Sequence, residues 1–439
     1  MQRTKRGKVN VITLGCSKNL VDSEQLLNQL ALNGFNVEHE SEHDDAGIVI
    51  LNTCGFIADA KEESVNAILR FAEARKAGKL EKLLVMGCLS ARYKEELIRE
   101  FPEVDRFYGK FDIRRIVRDL NAGFYEEKRY HRIQTTPAHF AYLKISEGCN
   151  RHCSFCAIPL FTGKHRSRSM DSLQEEARNL VAGGVKELLV IAQDLSYYGI
   201  DRYGKSKLAE LVGQLAGIDG LEWIRLHYAY PSRFPEDLLR VMREQPKVCN
   251  YLDVPLQHIS DRMLDLMRRR ITRKETITLL KKIREEVPGV ALRTTFLVGH
   301  PGETGADFEE LKAFIQEYPF ERMGVFTYSD EDHTYANKMY RDDIPQEHKE
   351  QRAAELMELQ QAISGRLNSR LAGKQLRVLV DREDTDCFVG RTEFDSPEVD
   401  GEVFIKKSPE IRPGNFYPVN ITATDEFDLY GKLQGSGNL

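Results

Sequence analysis

The chain contains the stretch Glu147-Gly148-Cys149-Asn150-Arg151-His152-Cys153-Ser154-Phe155-Cys156, in which three cysteines stand at C-x3-C-x2-C spacing. We call Cys149, Cys153 and Cys156 the loop cysteines. Three thiolates on one loop can hold three irons of a cubane iron–sulfur cluster, which has a fourth iron as well. That fourth iron lacks a protein ligand and can bind a small molecule, which is typical of a reaction centre.

A zinc site is the alternative interpretation of this loop. Structural zinc takes four ligands, usually from two C-x2-C-like pairs. The loop has three cysteines at unequal spacing and no second pair nearby, and His152 adjoins Cys153 too closely to reach the same metal easily. The spacing therefore favours an iron–sulfur cluster.

The composition is that of an ordinary globular protein. The chain has 439 residues, of which 41% are hydrophobic and 30% charged, and its length suits about two to four domains. No apolar run approaches the roughly 20 residues that span a bilayer. The basic residues 1–8 lead into a short predicted strand rather than a signal-peptide core. We expect a cytoplasmic protein without membrane association, whose eight cysteines are metal ligands or free thiols rather than disulfides.

Three further cysteines each directly follow a predicted strand, and we call Cys16, Cys54 and Cys88 the strand-end cysteines. The preceding apolar runs, with helical patterns between them, are residues 8–14, 47–52 and 82–86. Short strands separated by helices predict a parallel sheet, whose carboxyl ends share the edge where ligands bind. Any one of these cysteines alone would more often be a buried core residue. Because all three occupy equivalent strand ends, they predict a second cluster, whereas Cys249 and Cys387 have no such setting and are expected to be ordinary thiols.

A second alternating region lies in the middle of the chain. Its strand candidates are residues 140–146, 187–192, 223–228, 251–256, 292–298 and 322–328. Six such units predict an incomplete (β/α) barrel, short of the eight that close one. The loop cysteines follow the first strand, at the end of the barrel where active sites form.

The C-terminal part changes pattern after a helix-rich connector centred on residues 355–363. Short strands and turns from about Lys374 predict a small barrel of the binding-module type. The predicted fold class is therefore α/β, with an N-terminal parallel α/β domain, a central partial (β/α)6 barrel and a small C-terminal antiparallel β-barrel. The predicted boundaries are residues 7–125, 135–372 and 374–439.

The loop cysteines resemble those of the radical S-adenosylmethionine superfamily. With the strand-end cysteines and the C-terminal barrel, nearly the whole chain resembles the methylthiotransferase family of that superfamily. Within it, Gly15-Cys16-Ser17-Lys18-Asn19-Leu20-Val21-Asp22-Ser23-Glu24 is similar to the branch that modifies ribosomal protein S-12, as are residues 52–57, 144–149, 228–231 and 253–258. The transfer-RNA branch usually carries Gln-Met-Asn after its first cysteine, where this chain has Ser17-Lys18-Asn19.

The resemblance implies an N-terminal methylthiotransferase domain, a radical S-adenosylmethionine domain and a TRAM domain. It implies two 4Fe–4S clusters: one on the loop cysteines, whose open iron takes S-adenosylmethionine, and an auxiliary one on the strand-end cysteines. One S-adenosylmethionine methylates a sulfur, and another yields a deoxyadenosyl radical. The implied reaction is methylthiolation of the β-carbon of an aspartate in ribosomal protein S-12, free or on the small ribosomal subunit. An electron donor such as a flavodoxin or ferredoxin is implied, and the sulfur donor cannot be read from the sequence.

Other residues at strand ends are candidates for contact with S-adenosylmethionine. They are Gln193, Asp194, Gly299, Gly302 and Glu303. A plain turn is an equal alternative for the glycines. Two segments depart from the family pattern: His300 stands where Phe is commoner, and residues 329–334 vary a segment often written Ser-x-Glu-Glu-Gly-Thr.

The charge of the C-terminal barrel discriminates between substrates. Residues 375–439 contain seven Lys or Arg against thirteen Asp or Glu, in a chain of net charge −5. A barrel that grips RNA should be basic, because contact with phosphates drives its affinity. An acidic barrel suits a basic ribosomal protein instead. The charge therefore favours a protein substrate over a modified adenosine in tRNA, and a noncatalytic iron–sulfur scaffold or redox sensor remains the alternative from another class.

Overall fold

Alternating strands and helices build two compact units in this chain. The computed structural model describes residues 7–41 and 46–433, so the basic residues 1–6 and the last part of the predicted barrel, residues 434–439, lie outside the described residues. The first unit comprises Met1–Thr136, Tyr142–Asn150 and Ala157–His165, and the second comprises Pro137–Ala141, Arg151–Cys156 and Arg166–Leu439.

The first unit is built on a parallel sheet. Its strands are β1 (Lys8–Thr13), β2 (Asn36–His39), β3 (Ile48–Thr53), β4 (Lys82–Gly87) and β5 (Arg106–Phe107). Its helices are α1 (Ser17–Leu32), α2 (Ala58–Lys76), α3 (Cys88–Arg92), α4 (Lys94–Glu100) and α5 (Ile113–Asp119). Within the described residues the strand order is β2-β1-β3-β4-β5, with every pairing parallel. The predicted parallel α/β arrangement is therefore confirmed.

The alternation of side chains along β3 explains why this sheet is covered on both faces. Ile48 and Ile50 pack in one apolar cluster with residues of α1 and α5. Val49 and Leu51 pack in another, with residues of α2 and α4. Successive strand residues point to opposite faces, so a continuous apolar run predicts burial on both sides.

The second unit contains the predicted open (β/α) sheet. Its strands are β6 (Phe140–Lys144), β9 (Glu187–Ile191), β10 (Trp223–Leu226), β11 (Val248–Asp253), β12 (Ala291–Val298) and β13 (Arg322–Thr327), where the first two residues of β6 belong to this unit. Two short strands, β7 (Ser146–Glu147) and β8 (Arg166–Ser167), and the short helix α6 (Ile158–Thr162) lie near the loop cysteines in sequence. The described strands have the order β13-β12-β11-β10-β9-β6, which confirms the six predicted units.

Helices alternate with these strands. They are α7 (Met170–Ala182), α8 (Ile200–Tyr203), α9 (Leu208–Ala216), α10 (Asp237–Glu244), α11 (Asp261–Leu266), α12 (Arg273–Glu286), α13 (Gly305–Glu317), α14 (Tyr335–Met339) and α15 (Gln346–Asn368). Thr304 starts α13 with a capping box, in which its side chain and that of Asp307 bond to each other's backbone N–H. This cap fixes where the loop after β12 ends. None of the helices in the described part of the chain combines the length and apolar character needed to cross a bilayer.

The C-terminal strands close a small barrel. They are β14 (Gln375–Glu383), β15 (Cys387–Arg391), β16 (Val403–Lys406), β17 (Phe416–Thr424) and β18 (Leu429–Leu433), in the order β14-β15-β16-β18-β17. The predicted barrel is confirmed, with one difference: β16 and β18 pair in parallel. An odd number of strands cannot close a ring in which every neighbour is antiparallel, so one parallel pair is required.

Buried ion pairs join the barrel to the central sheet within the second unit. Glu187 of β9 contacts Arg225 of β10 at 2.8 Å and Arg391 of β15 at 2.8 Å. Arg225 also donates to the backbone carbonyl of Glu393 at 2.6 Å. All three charged side chains are almost fully buried. The pair of Glu187 and Arg391 therefore crosses from sheet to barrel, and each of the two side chains has a further partner on its own side, Arg225 and Asp381.

Candidate metal centres

The strand-end cysteines lie at the carboxyl edge of the sheet in the first unit. Cys16 immediately precedes α1, Cys54 follows β3 and Cys88 begins α3. The strands that lead to them, β1, β3 and β4, are direct neighbours. The structure thus brings together three side chains that are far apart in sequence.

Two glycines let these segments pack directly on one another. Gly15 has φ +90°, and a Cβ added there would lie 2.5 Å from Cβ and 2.7 Å from Sγ of Cys54. A Cβ at Gly55 would lie 2.7 Å from the backbone nitrogen of Leu89, next to Cys88. No side chain fits at either position, so the backbones that carry the strand-end cysteines remain in close contact.

Asn19 links the same three strand ends by hydrogen bonds. It is fully buried, and its side-chain amide donates to the carbonyls of Leu14 at 3.0 Å and Thr53 at 3.2 Å. The thiol of Cys88 lies 3.7 Å from Oδ1 of Asn19, to which it can donate. Asn19 belongs to the Ser17-Lys18-Asn19 signature, so one residue of that signature has a structural role at this edge.

The three strand-end thiols differ in how readily they ionise. Burial raises the pKa of Cys54, and it raises the pKa of Cys88 to about 12. Desolvation also opposes ionisation of Cys16, but Lys18, Lys110 and two backbone N–H groups outweigh it and lower the pKa of Cys16. Cys16 is also the exposed member of the set. Cys16 is therefore the strand-end cysteine that forms a thiolate most readily.

Lys110 is a residue of this site that the sequence analysis missed. It follows β5 at the same edge of the sheet, it is 4% exposed, and its charge lowers the pKa of all three strand-end thiols. Its ammonium lies 3.5 Å from the carboxylate of Glu147, which also accepts from Lys144 at 2.5 Å, and Lys144 pairs with Asp22. A buried network of two lysines and two carboxylates therefore supports the site.

The donors at this edge are soft. Three thiols with a nearby cation suit an iron–sulfur cluster better than a hard cation, which prefers oxygen. Among the residues that the structure describes, no three His, Cys, Asp or Glu side chains surround one point closely enough to hold a single ion. A cubane instead offers a separate iron to each thiolate.

The loop cysteines are divided between the two units. Cys149 belongs to the first unit, where its backbone N–H donates to the carbonyl of Gly163 at 3.2 Å. Cys153 and Cys156 belong to the second, where the N–H of Cys156 donates to the carbonyl of Cys153 at 3.2 Å. All three residues are partly exposed.

Ser154, inside the loop, is fixed by three different segments of the second unit. Its N–H donates to the carbonyl of Met267 at 3.0 Å, and its carbonyl accepts from Ala336 at 2.7 Å. Its hydroxyl lies 2.9 Å from Nε2 of His300. His300 is itself one of the two departures from the family pattern, and Ala336 lies just after the other, residues 329–334.

Arg269 and Tyr230 approach the sulfur of Cys153. Nη1 of Arg269 donates to Sγ of Cys153 at 3.3 Å, and the hydroxyl of Tyr230 lies 3.8 Å from the same sulfur. Arg151 lies over the ring of Tyr230, 4.0 Å from its centroid. The sequence analysis assigned none of these residues a role. Arg269 and Tyr230 reach the loop only through tertiary contacts, and Arg151, which lies in the loop, meets Tyr230 only in the folded chain.

The predicted contacts with S-adenosylmethionine have protein partners in the structure. Asp194 is 1% exposed and accepts from Arg151 at 2.7 Å, and Gln193 precedes it after β9. Glu303 accepts from His258 at 3.1 Å, from Arg352 at 2.6 Å and from the N–H of Gly299.

Two of these candidates have a left-handed backbone conformation. Gly299 and Gly302 have φ of +75° and +86°, so both occupy the region that favours glycine.

The two remaining cysteines lie away from both sets. Cys249 is buried in β11, where desolvation raises its pKa to about 12. Cys387 begins β15 in the barrel.

An open (β/α) sheet with three cysteines in the loop after its first strand defines the class of radical S-adenosylmethionine enzymes. The sequence profile of the Radical SAM superfamily matches residues 143–315, that of the Uncharacterized protein family UPF0004 matches residues 8–109, and that of the TRAM domain matches residues 372–433. Radical SAM enzymes use S-adenosylmethionine and a 4Fe–4S cluster, and the thiols of the loop suit that cluster.

Curated relatives narrow the class. The ribosomal protein uS12 methylthiotransferase RimO of Bacteroides thetaiotaomicron is 56% identical over 98% of this chain and 99% of its own length. The enzyme of the same name from Porphyromonas gingivalis is 56% identical over 98% and 99% of the two chains, and that of Cytophaga hutchinsonii 51% over 97% and 98%. The chain belongs to the RimO family of radical S-adenosylmethionine methylthiotransferases.

Solved structures share the fold at low identity. The radical S-adenosylmethionine methyltransferase TsrM from Kitasatospora setae is 14% identical, with a TM-score of 0.54 over 73% of each chain. The cobalamin-dependent S-adenosylmethionine radical enzyme OxsB is 13% identical, with a TM-score of 0.52 over 76% of this chain and 54% of that one. These likenesses concern the fold alone.

Proposed function

We propose that this chain methylthiolates the β-carbon of an aspartate in ribosomal protein uS12. The observation that carries the proposal is the presence of two separate sets of three thiols, since the reaction needs both a radical source and a sulfur source. The relatives named for methylthiolation of uS12, which match nearly the whole chain, support the substrate.

Two 4Fe–4S clusters are part of the proposal. The loop cysteines would hold one, which supplies the electron that cleaves S-adenosylmethionine and yields the radical for hydrogen removal. The strand-end cysteines would hold the auxiliary cluster, which supplies the sulfur that is methylated and transferred. The low pKa of Cys16 and the charge of Lys110 support ligation at the second position.

Of the three domains proposed from the sequence, residues 7–125 and 135–372 each contain one matched profile, and the third, residues 374–439, overlaps the TRAM profile at residues 372–433. In the central domain, we place S-adenosylmethionine beside the ends of β9 and β12. Gln193 and Asp194 follow β9, and Gly299, Gly302 and Glu303 follow β12. The carboxylate of Glu303 already accepts hydrogen bonds from other residues of the chain, including the N–H of Gly299. Glu303 would therefore hold the backbone of Gly299 in place, and that backbone would contact the cofactor.

We propose that the exposed acidic turn between β14 and β15 binds the basic substrate protein. Asp384 and Asp386 are exposed there. Glu393, a third candidate by charge, is half-buried and accepts from the N–H of Asn250 at 3.1 Å, so it serves the packing of the barrel on the sheet. Asp395 and Asp400 likewise pair with Arg322 and Arg293. The acidic surface is therefore narrower than the composition suggests.

The proposed setting is the cytoplasm, where ribosomal proteins are made and assembled. A low-potential electron donor such as a flavodoxin or ferredoxin would reduce the cluster on the loop cysteines.

Anaerobic turnover tests the proposal. The reconstituted protein receives S-adenosylmethionine, a reductant and sulfide, with either a peptide of uS12 or tRNA, and both products are analysed by mass spectrometry. We expect one methylthio group on a peptide aspartate and unmodified tRNA. The Cys54→Ala variant is the control, which should still cleave S-adenosylmethionine but transfer no methylthio group. Modified adenosine with an unmodified peptide would overturn the assignment.

A further inference from the structure

Arg269 is a buried cation without a carboxylate partner. It is 4% exposed, and in the described part of the chain no ion pair joins it to Asp or Glu. Its Nε has no hydrogen-bond partner among the described atoms. A buried guanidinium is strongly destabilising unless an anion compensates it. The structure must therefore supply a negative charge of another kind.

The nearest anionic groups are the loop thiols of the second unit. Nη1 of Arg269 donates to Sγ of Cys153 at 3.3 Å, and the charge of Arg269 interacts with both Cys153 and Cys156. Thiolates that ligate a 4Fe–4S cluster carry the negative charge of that cluster. The missing counter-ion of Arg269 is thus the group that the loop cysteines would hold.

The backbone around Arg269 is shaped to present it in this direction. Arg268 and Arg270, on either side, have φ of 57° and 53°, the left-handed region that residues other than glycine rarely adopt. The hydroxyl of Tyr230 donates to the carbonyl of Arg269 at 2.8 Å, and Nη2 of Arg269 donates to the carbonyl of Pro255. Two strained residues and two hydrogen bonds therefore fix one side chain against one sulfur.

We propose that Arg269 is a positioning residue that raises the reduction potential of the cluster on the loop cysteines by donating to the sulfur of Cys153. The inference rests on the proposed function only in that it takes these cysteines as cluster ligands. The loop cysteines would hold a cluster that takes one electron from an external low-potential donor, of the flavodoxin or ferredoxin class, and its net charge would become more negative by one. A fixed cation beside the sulfur stabilises the reduced state more than the oxidised one, because the reduced state carries more negative charge.

The test is a potentiometric titration of the holoenzyme followed by electron paramagnetic resonance. The signal that changes when S-adenosylmethionine is added is assigned to the cluster on the loop cysteines, which is the one proposed to bind S-adenosylmethionine for cleavage. We expect Arg269→Gln to lower the equilibrium constant for reduction about tenfold, which is about 59 mV for a one-electron couple. Arg269→Lys, which keeps the charge but loses the planar fork, should shift the potential less.

Lys274→Gln is the matched control. Lys274 is exposed and five residues further along the chain, so its substitution removes the same formal charge at a place where water screens it. The reduction potential of the cluster in Lys274→Gln should equal that of the unaltered enzyme. An unchanged potential in Arg269→Gln with full iron content would overturn the inference, as would an equal shift in Lys274→Gln.

A second measurement covers the case in which Arg269→Gln does not retain the cluster. Tyr230→Phe removes the hydroxyl that donates to the carbonyl of Arg269. Tyr230→Phe and Arg269→Lys, each measured as a single variant, should lower the reduction potential as Arg269→Gln does, but by less. Unchanged potentials in both would overturn the inference. The titration needs no substrate protein, so its result holds even if the proposed substrate is incorrect. If the unaltered enzyme has no signal that responds to S-adenosylmethionine, the proposed function is contradicted instead.

Discussion

The hydroxyl of Ser154 donates to Nε2 of His300 at 2.9 Å, within the loop that carries the loop cysteines. The direction follows from the other ring nitrogen: Nδ1 lies 3.0 Å from the carbonyl of Pro301, which can only accept, so Nδ1 carries the proton. Both side chains are fully buried. His300, which departs from the family pattern, therefore has a specific partner in the cluster loop.

His300→Phe should destabilise the protein by leaving the Ser154 hydroxyl buried without its partner. A buried unsatisfied hydroxyl costs about 1–3 kcal/mol, whereas removing both partners can be nearly neutral. We expect a lower thermal unfolding midpoint for His300→Phe, and a largely restored one when Ser154→Ala is added. The double-mutant cycle measures the coupling. Additive effects of the two substitutions would show that the hydrogen bond contributes nothing.

Acid should weaken the fold through His300. Burial lowers the pKa of His300 from 6.5 to about 4. Between these values the unfolded chain binds a proton that the folded one excludes, so stability is fully present above about pH 6.5 and is lost as the pH falls toward 4. The loss amounts to roughly 3 kcal/mol. The thermal unfolding midpoint of the iron-free protein should decrease more between pH 7.5 and pH 5 than that of iron-free His300→Phe. Equal decreases in the two proteins would contradict this role of His300.

Removing the charge of Lys110 should impair iron binding at the strand-end cysteines. Lys110 lowers the pKa of all three thiols, so Lys110→Met leaves more of each thiol protonated, about tenfold less thiolate for each pKa unit. The measurement is the iron bound per chain in a protein whose loop cysteines are replaced by alanine, so that only the strand-end cysteines remain as ligands. In that background, Lys110→Met should bind less iron than the protein with Lys110. Lys110→Arg keeps the charge and is the control. Equal iron content in the Met and Arg variants would remove Lys110 from the site.

The buried pair beneath the barrel should contribute far more to stability than an exposed pair on it. Glu187→Gln leaves Arg225 without its carboxylate, whereas Arg391 keeps Asp381 at 2.7 Å. Breaking a buried pair typically costs about 3–5 kcal/mol. The exposed pair of Arg382 and Glu402, at 2.6 Å, should be worth less than about 1 kcal/mol. Unfolding midpoints of Glu187→Gln and Glu402→Gln compare the two, and similar values would contradict the expectation.

The acidic turn of the barrel should act on substrate binding and not on cleavage of S-adenosylmethionine. Replacing Asp384 and Asp386 by Asn removes two exposed charges and should weaken binding of uS12 at low salt several-fold, with a smaller effect at high salt. Glu410→Gln, on another exposed loop of the barrel, is the control. Unchanged affinity at low salt would exclude electrostatic docking at this turn.

The strand-end cysteines could be placed from the sequence because each follows an apolar run and parallel strands end at one edge. The loop cysteines could be placed because their spacing is local. Lys110 could not be placed from the sequence, because β5 is only two residues long and shows no hydrophobic periodicity that would predict a strand. Arg269 could not be placed either, because its contact with Cys153 joins positions 116 residues apart, and a tertiary contact leaves no local periodicity.

The charge of the barrel shows what composition can and cannot provide. The excess of acidic residues was visible in the sequence, but it did not distinguish Asp384, which is exposed, from Asp395, which pairs with Arg322. The parallel pairing of β16 and β18 was also missed, although five strands in a closed ring require it. In both cases the missing information was which elements become neighbours.

The ion pairs of Glu187 give the barrel the character of a fixed arm. A protein captured on a module that swings on a tether samples the active site at an effective concentration set by the length of the tether. If the acidic turn binds the substrate protein, as proposed, the barrel would instead hold it at a fixed place on the central sheet. The distance from that turn to Cys153 and Cys156 would then not vary, so substrate proteins of different size would be selected by distance as well as by charge.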